Sequence, residues 1–181
     1  MTKIAVFVGS IREGSTNRSL AKALEKLAPE GMEFSYIDIN LPLYSEDVEK
    51  AGLPASVQAM KDTVDKADGV LILTPEYNRG MPGALKNALD WASRPYGSNS
   101  FTHKPTGVLG SSMTPVGTAM AQSDVRTFLA FSDAKTLGQP EVYVANAYEV
   151  FDESGEVISE RWLKNFQLYM DAFSAWVANE K

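Results

Sequence analysis

The chain has 181 residues, a formal net charge of −6 from 17 Lys and Arg against 23 Asp and Glu, and no cysteine. A hydrophobic fraction of 44% with 22% charged residues excludes disorder. The missing cysteine excludes a disulfide scaffold, a thiolate nucleophile and Cys-based zinc or iron–sulfur sites. One histidine, His103, excludes multi-histidine sites, so no metal is expected. The acidic balance argues against a nucleic-acid partner, since phosphate backbones select basic faces. No apolar run approaches the ~20 residues of a membrane span. The N-terminus runs from Met-Thr-Lys directly into a strand-like segment with no signal peptide. The expectation is one soluble, cytoplasmic domain over residues 1–181.

In chain order, Ile4–Gly9 reads as a strand buried on both faces, and Asn17–Leu27 as a helix with Leu20, Ala23, Leu24 and Leu27 on one side. A more mixed strand follows at Met32–Ile39, then a helix at Ala55–Ala67. Gly69–Thr74 (GVLILT) is the clearest strand of the chain. A helix at Pro82–Ala92, a strand at Thr106–Ser111, a helix at Thr118–Phe131 and a strand at Val142–Ala145 come next. The last helix, Glu160–Val177, carries Trp162, Phe166, Tyr169, Phe173 and Trp176 as one stripe, which core packing accounts for. Alternating strands and helices predict an α/β fold with a five-stranded parallel sheet and helices on both faces. Two doubly wound orders remain open: a truncated Rossmann sheet and the flavodoxin-like order 2-1-3-4-5. In the second, the loops after strands 1, 3 and 4 meet at one crevice.

The loop after strand 1, Gly9-Ser10-Ile11-Arg12-Glu13-Gly14-Ser15-Thr16-Asn17, places hydroxyls, an amide, a guanidinium and backbone N–H groups at a helix N-terminus. Such an end binds anions, phosphate above all. It is not a P-loop, because Ser15 stands where Lys is required and GVLILT supplies no acidic residue for Mg²⁺. The Rossmann glycine fingerprint is absent too. Ser15 or Thr16 capping the helix is the plainer alternative. After strand 3, Pro75-Glu76-Tyr77-Asn78-Arg79-Gly80-Met81-Pro82-Gly83 suits a flat heteroaromatic ring beside that phosphate site, although taken alone it reads more plainly as a Pro/Gly-rich loop with a surface Tyr. His103 precedes strand 4, opposite the crevice, which argues against a serine hydrolase.

GSIREGSTNRSLAKAL followed by PEYNRGMPGALKNALDWAS resembles the NADPH-dependent FMN reductase family, the flavodoxin-like quinone, chromate and azo-dye reductases, over residues 3 to 177. The resemblance implies the order 2-1-3-4-5 and a non-covalent FMN. Ser10, Arg12, Ser15 and Asn17 would hold its phosphate. Pro75, Glu76, Tyr77 and Asn78 would frame its ring, partly through backbone atoms, and Ser111 and Ser112 would approach it from the loop after strand 4. Gly80 departs from the Ser of many relatives, and Arg79 is expected to face solvent. The implied activity is reduction of quinones or similar acceptors (flavin, azo dye, chromate) by NADPH or NADH, by ping-pong hydride transfer. The flavin carries the chemistry, so no catalytic side chain is nominated. A flavodoxin-like electron carrier with little NAD(P)H activity is the alternative, and a flavin-free enzyme of phosphate chemistry a third. Related reductases are dimers or tetramers, and Leu85, Leu89 and Trp91 beside the ring loop suggest apolar surface for a homodimer or homotetramer.

Overall fold

Strands that are apolar on both faces are stable only when both faces are covered. The computed structural model, which describes residues 1–180, meets this demand with three layers. In chain order it comprises β1 (Thr2–Val8), α1 (Thr16–Leu27), β2 (Met32–Ile37), α2 (Glu46–Ala51), α3 (Ala55–Lys66), β3 (Gly69–Leu73) and α4 (Gly83–Ala92). Then come β4 (Pro105–Ser111), α5 (Ala119–Phe131), β5 (Lys135–Thr136), β6 (Tyr143–Val144), a short 3₁₀ turn (Ala147–Glu149) and α6 (Glu160–Asn179). The parallel sheet runs β2-β1-β3-β4-β5, with β6 also on β4, which is the flavodoxin-like order and not the Rossmann one.

Alternate residues of each strand feed two cores. Ile4, Val6, Val8, Leu71 and Leu73 face α1 and α6, while Ala5, Phe7, Val70 and Ile72 face α3, α4 and α5. The aromatic stripe of α6 lies in the first of these: Phe166, Tyr169 and Phe173 are buried, with Trp162 and Trp176 half-buried at its ends. Ser159 caps that helix by accepting the Trp162 N–H.

The fold departs from expectation in three places. The fifth position of the sheet is divided between two strands of two residues. β5 pairs with Pro105 and Thr106, and β6 with Gly110 and Ser111. Residues 137–142 leave the sheet between them, and Pro140 within that excursion has no N–H to give a ladder. The short helix α2 was not foreseen; it starts at Ser45, whose side chain accepts the Asp47 N–H. Leu85, Leu89 and Trp91 of α4 are fully buried. They belong to the core beneath the sheet, so they offer no surplus apolar surface to a partner.

Strand order reverses between β1 and β3, and the loops after β1, β3 and β4 therefore rise side by side at the carboxyl end of the sheet. Gly110 sets how closely they approach. A Cβ at this position would overlap the Thr74 carbonyl oxygen and the Thr118 hydroxyl.

Candidate functional site

The segment after β1 leaves polar groups without partners in the fold. Ser15 is the N-cap of α1, with extended backbone (φ −67°, ψ 127°), yet its side chain makes no capping hydrogen bond. It is 3% exposed. The capping alternative therefore fails, and the hydroxyl is left for a ligand. Among the described residues, the N–H groups of Gly14, Ser15, Thr16 and Asn17 find no acceptor. No acidic residue lies in the first turn of α1 to oppose a phosphate there. Ser10 is buried and its hydroxyl accepts the Arg12 N–H at 3.3 Å, which curls the loop. The Arg12 guanidinium is exposed and reaches only the Glu13 carbonyl, at 3.2 Å. An unpartnered hydroxyl on a largely buried serine, four unpaired amides and one exposed guanidinium fit a phosphate monoester.

Asn17 has a different task from the one expected. Its Nδ2 donates to the Ser111 carbonyl at 2.9 Å, and its Oδ1 accepts the Ser111 N–H at 2.9 Å. Both ends of the amide are consumed, so only its backbone N–H remains for a phosphate. The Ser111 hydroxyl is likewise occupied, donating to Thr16 Oγ1 at 2.8 Å. These bonds fasten the first turn of α1 to the end of β4. The Ser112 hydroxyl turns back on its own loop, bonding Thr114 through its N–H, carbonyl and hydroxyl. Asn17, Ser111 and Ser112 thus shape the crevice through the backbone they position. Sequence spacing gives no sign of the bonds between α1 and β4, because those partners are far apart in the chain.

The loop after β3 is a tight hairpin. Tyr77 and Gly80 exchange two backbone hydrogen bonds, at 3.0 and 3.1 Å, around Asn78 (φ 52°) and Arg79 (φ 67°). Two successive left-handed residues are the signature of a type I′ turn, in which Asn is well tolerated. Pro75 is buried beneath it, whereas Tyr77 is 53% exposed.

Glu76 is engaged within the protein. Its side chain is only 8% exposed, and Oε2 accepts the N–H groups of Met120 at 2.9 Å and Ala121 at 3.2 Å. This carboxylate caps α5, whose own N-cap residue, Thr118, is left-handed (φ 67°) and makes no side-chain cap. Any contact from Glu76 to a ring is left to its backbone. Arg79 lies largely in solvent and closes on Glu76 Oε1 at 3.3 Å. From the next turn of α5, Asp124 Oδ2 accepts the Met81 N–H at 3.2 Å. Asp124 carried no sequence signal, since it acts on a loop remote in the chain. Gly80 faces Asp124 as well: a Cβ there would stand 3.1 Å from Asp124 Oδ2.

His103 sits at the opposite end of β4, exposed and 3.3 Å from Asp133 Oδ2. Among the described residues no group of three or more His, Cys, Asp or Glu could hold a metal, and no helix is long and apolar enough to cross a membrane.

Comparison with known proteins agrees with this geometry. Residues 2–149 match the family model described as NADPH-dependent FMN reductase. A 2-hydroxy-1,4-benzoquinone reductase of Burkholderia sp is 46% identical over 180 residues, covering 99% of this chain and 98% of that protein. A quinone reductase of Pseudomonas putida is 40% identical, over 96% and 94% of the two chains. The solved structure of FerB, a flavoenzyme NAD(P)H:(acceptor) oxidoreductase from Paracoccus denitrificans, superposes with a TM-score of 0.93 at 40% identity and 99% coverage of both chains. With the sheet order, the uncapped helix end and near-complete coverage by these relatives in agreement, the chain belongs to the NADPH-dependent FMN reductase family.

Proposed function

We propose that the chain is a non-covalent FMN reductase that takes electrons from NADPH or NADH and passes them to quinones or similar small acceptors. The observation that carries this reading is the hydroxyl of the largely buried Ser15, uncapping and unpartnered, amid the free amides at the head of α1. Bound there, FMN supplies hydride acceptance from nicotinamide and onward transfer of electrons. The protein's part is to bind and to orient. Ser10, Ser15, the amides of residues 14–17 and Arg12 hold the phosphate. Pro75 and the Tyr77–Asn78 hairpin frame the ring, and Glu76 and Asp124 hold the hairpin against α5. Asn17 and Ser111 keep the phosphate end in register with the ring end. The described residues act as one flavin-binding unit. Its donor, a reduced nicotinamide, is an intracellular metabolite, which supports a cytoplasmic location.

A crevice with one open face admits donor and acceptor in succession, which supports a ping-pong scheme. A second copy of the chain is part of the same reading. A groove of about 830 Å³ between α4 and α5 is lined by Met81, Lys86, Asp90, Asp124, Phe128 and Phe131, directly beside the ring hairpin. Phe131 is 89% exposed there, an apolar side chain that association would cover.

The test is spectroscopic and kinetic. The purified protein should be yellow or take up FMN stoichiometrically, and should prefer FMN to riboflavin; equal affinity would remove the phosphate assignment. NAD(P)H alone should bleach the flavin and a quinone restore it, with parallel double-reciprocal lines. Intersecting lines would mean a ternary complex, and no bleaching would favour the electron-carrier reading.

A further inference from the structure

The division of the fifth sheet position leaves a break beside β4, and polar side chains reach into it from both faces of the sheet. From α5, Gln122 Nε2 donates to the Val142 carbonyl at 2.9 Å and to Thr118 Oγ1 at 3.1 Å. One turn later, Arg126 Nη1 donates to the Leu137 carbonyl at 2.9 Å. The two side chains thus hold the two ends of the excursion 137–142. From α6, on the other face, the Tyr169 hydroxyl lies over β4 at Gly107, where a Cβ would stand 2.5 Å from it. The Arg126 charge is near enough to act on that phenol.

Each of these side chains keeps one atom without a partner. Gln122 Oε1, Arg126 Nε and the Tyr169 hydroxyl are all buried and make no hydrogen bond. Gln122 is 0% and Tyr169 1% exposed as whole residues. One is an acceptor, one a donor and one can serve as either. Buried polar groups are almost always satisfied, and an internal water characteristically makes about three hydrogen bonds to do so.

We infer that the break in the sheet is an internal hydration site. A water molecule there donates to Gln122 Oε1, accepts the Nε–H of Arg126 and exchanges a third hydrogen bond with the Tyr169 hydroxyl. It satisfies the three side-chain atoms that the fold leaves without partners at the break. It also lies under Thr118, the residue packed against Gly110 at the crevice floor.

The experiment is a high-resolution crystal structure of the FMN-loaded protein together with ¹⁷O relaxation dispersion in solution, which counts long-lived internal waters. A density peak about 2.7–3.2 Å from both Gln122 Oε1 and Arg126 Nε is expected. A dry break, with Gln122 and Arg126 bonded to each other, would overturn the inference. Gln122→Leu should lower the count of long-lived waters by one, and an unchanged count would count against the site. Should that variant fail to fold, Tyr169→Phe removes one oxygen and no packing. A shortened residence time supports the three-atom site, and an unchanged dispersion overturns it.

Discussion

Asn17 and Ser111, 94 positions apart in sequence, are joined by two reciprocal hydrogen bonds of 2.9 Å, side-chain amide to backbone peptide. The pair ties the head of α1 to the end of β4, so the two halves of the crevice move as one body. Asn17→Ala leaves a buried carbonyl and a buried N–H without partners. It should cost about 2–4 kcal/mol of stability and loosen FMN binding with it. Thermal unfolding and fluorescence titration measure the two effects. A variant that keeps full stability would show the pair to be dispensable.

Arg12 contributes differently, because it is exposed and holds no part of the fold. Arg12→Ala should leave the melting temperature unchanged. FMN affinity should fall by about 1.5–3 kcal/mol, the worth of a charge-assisted hydrogen bond, with riboflavin affinity unaffected. An unchanged Kd for FMN removes Arg12 from the site.

Glu76 is expected to separate placement from binding. Glu76→Ala uncaps α5 and should cost about 1 kcal/mol of stability. Because the ring hairpin then loses its tether, flavin bleaching by NAD(P)H should slow more than FMN affinity falls. Glu76→Gln keeps an oxygen for the Met120 and Ala121 N–H groups and should recover most of the rate. Equal loss of affinity and rate in both variants would point to direct contact with the flavin.

A carboxylate away from the crevice gives a pH signature. Hydrogen bonds from Arg94 and from the Tyr44 hydroxyl hold the Glu49 carboxyl below its ordinary value of 4.5. A carboxyl lowered by folding adds stability that is fully present above 4.5 and is lost as pH falls through the depressed value. The gap in melting temperature between wild type and Glu49→Gln should be open at pH 7 and narrow progressively below about pH 4.5. A gap that stays constant with pH would mean the pair adds nothing through its charge.

The exposed ring of Phe131 gives a handle on association. Phe131→Asp should shift the protein toward monomer in sedimentation at micromolar concentration while leaving its fold intact. A wild-type monomer under those conditions would rule out the second copy.

The sequence made the frame legible and hid the tethers. Continuous apolar runs such as Ile4–Phe7 and Gly69–Leu73 announce doubly covered strands, and the polar loop before α1 is equally plain, because these signals are local. The side-chain partners of Glu76 and Asn17 were hidden, since side-chain chemistry alone does not say which backbone amide lies across the fold. Glu76 meets α5 only after the β3 and β4 loops are brought together. The same holds for the divided fifth strand. Lys135–Thr136 is too short to carry a period, and only pairing with Pro105 and Thr106 makes it a strand. Leu85, Leu89 and Trp91 suggested a surplus because a count of apolar residues does not include the depth of the sheet they cover.

The divided fifth strand also bears on colloidal behaviour. An open sheet presents its two outermost strands to other chains, and a long, flat, apolar edge is a template for strand addition and aggregation. Here one border ends in a piece two residues long, after which the backbone turns away. The opposite border, β2, is six residues long and carries Glu33 along it. Neither border offers a long apolar template, so a partly unfolded copy meets little to pair with. Restoring a continuous fifth strand by deleting the excursion would regularise the sheet and, on this argument, make the protein more prone to precipitate.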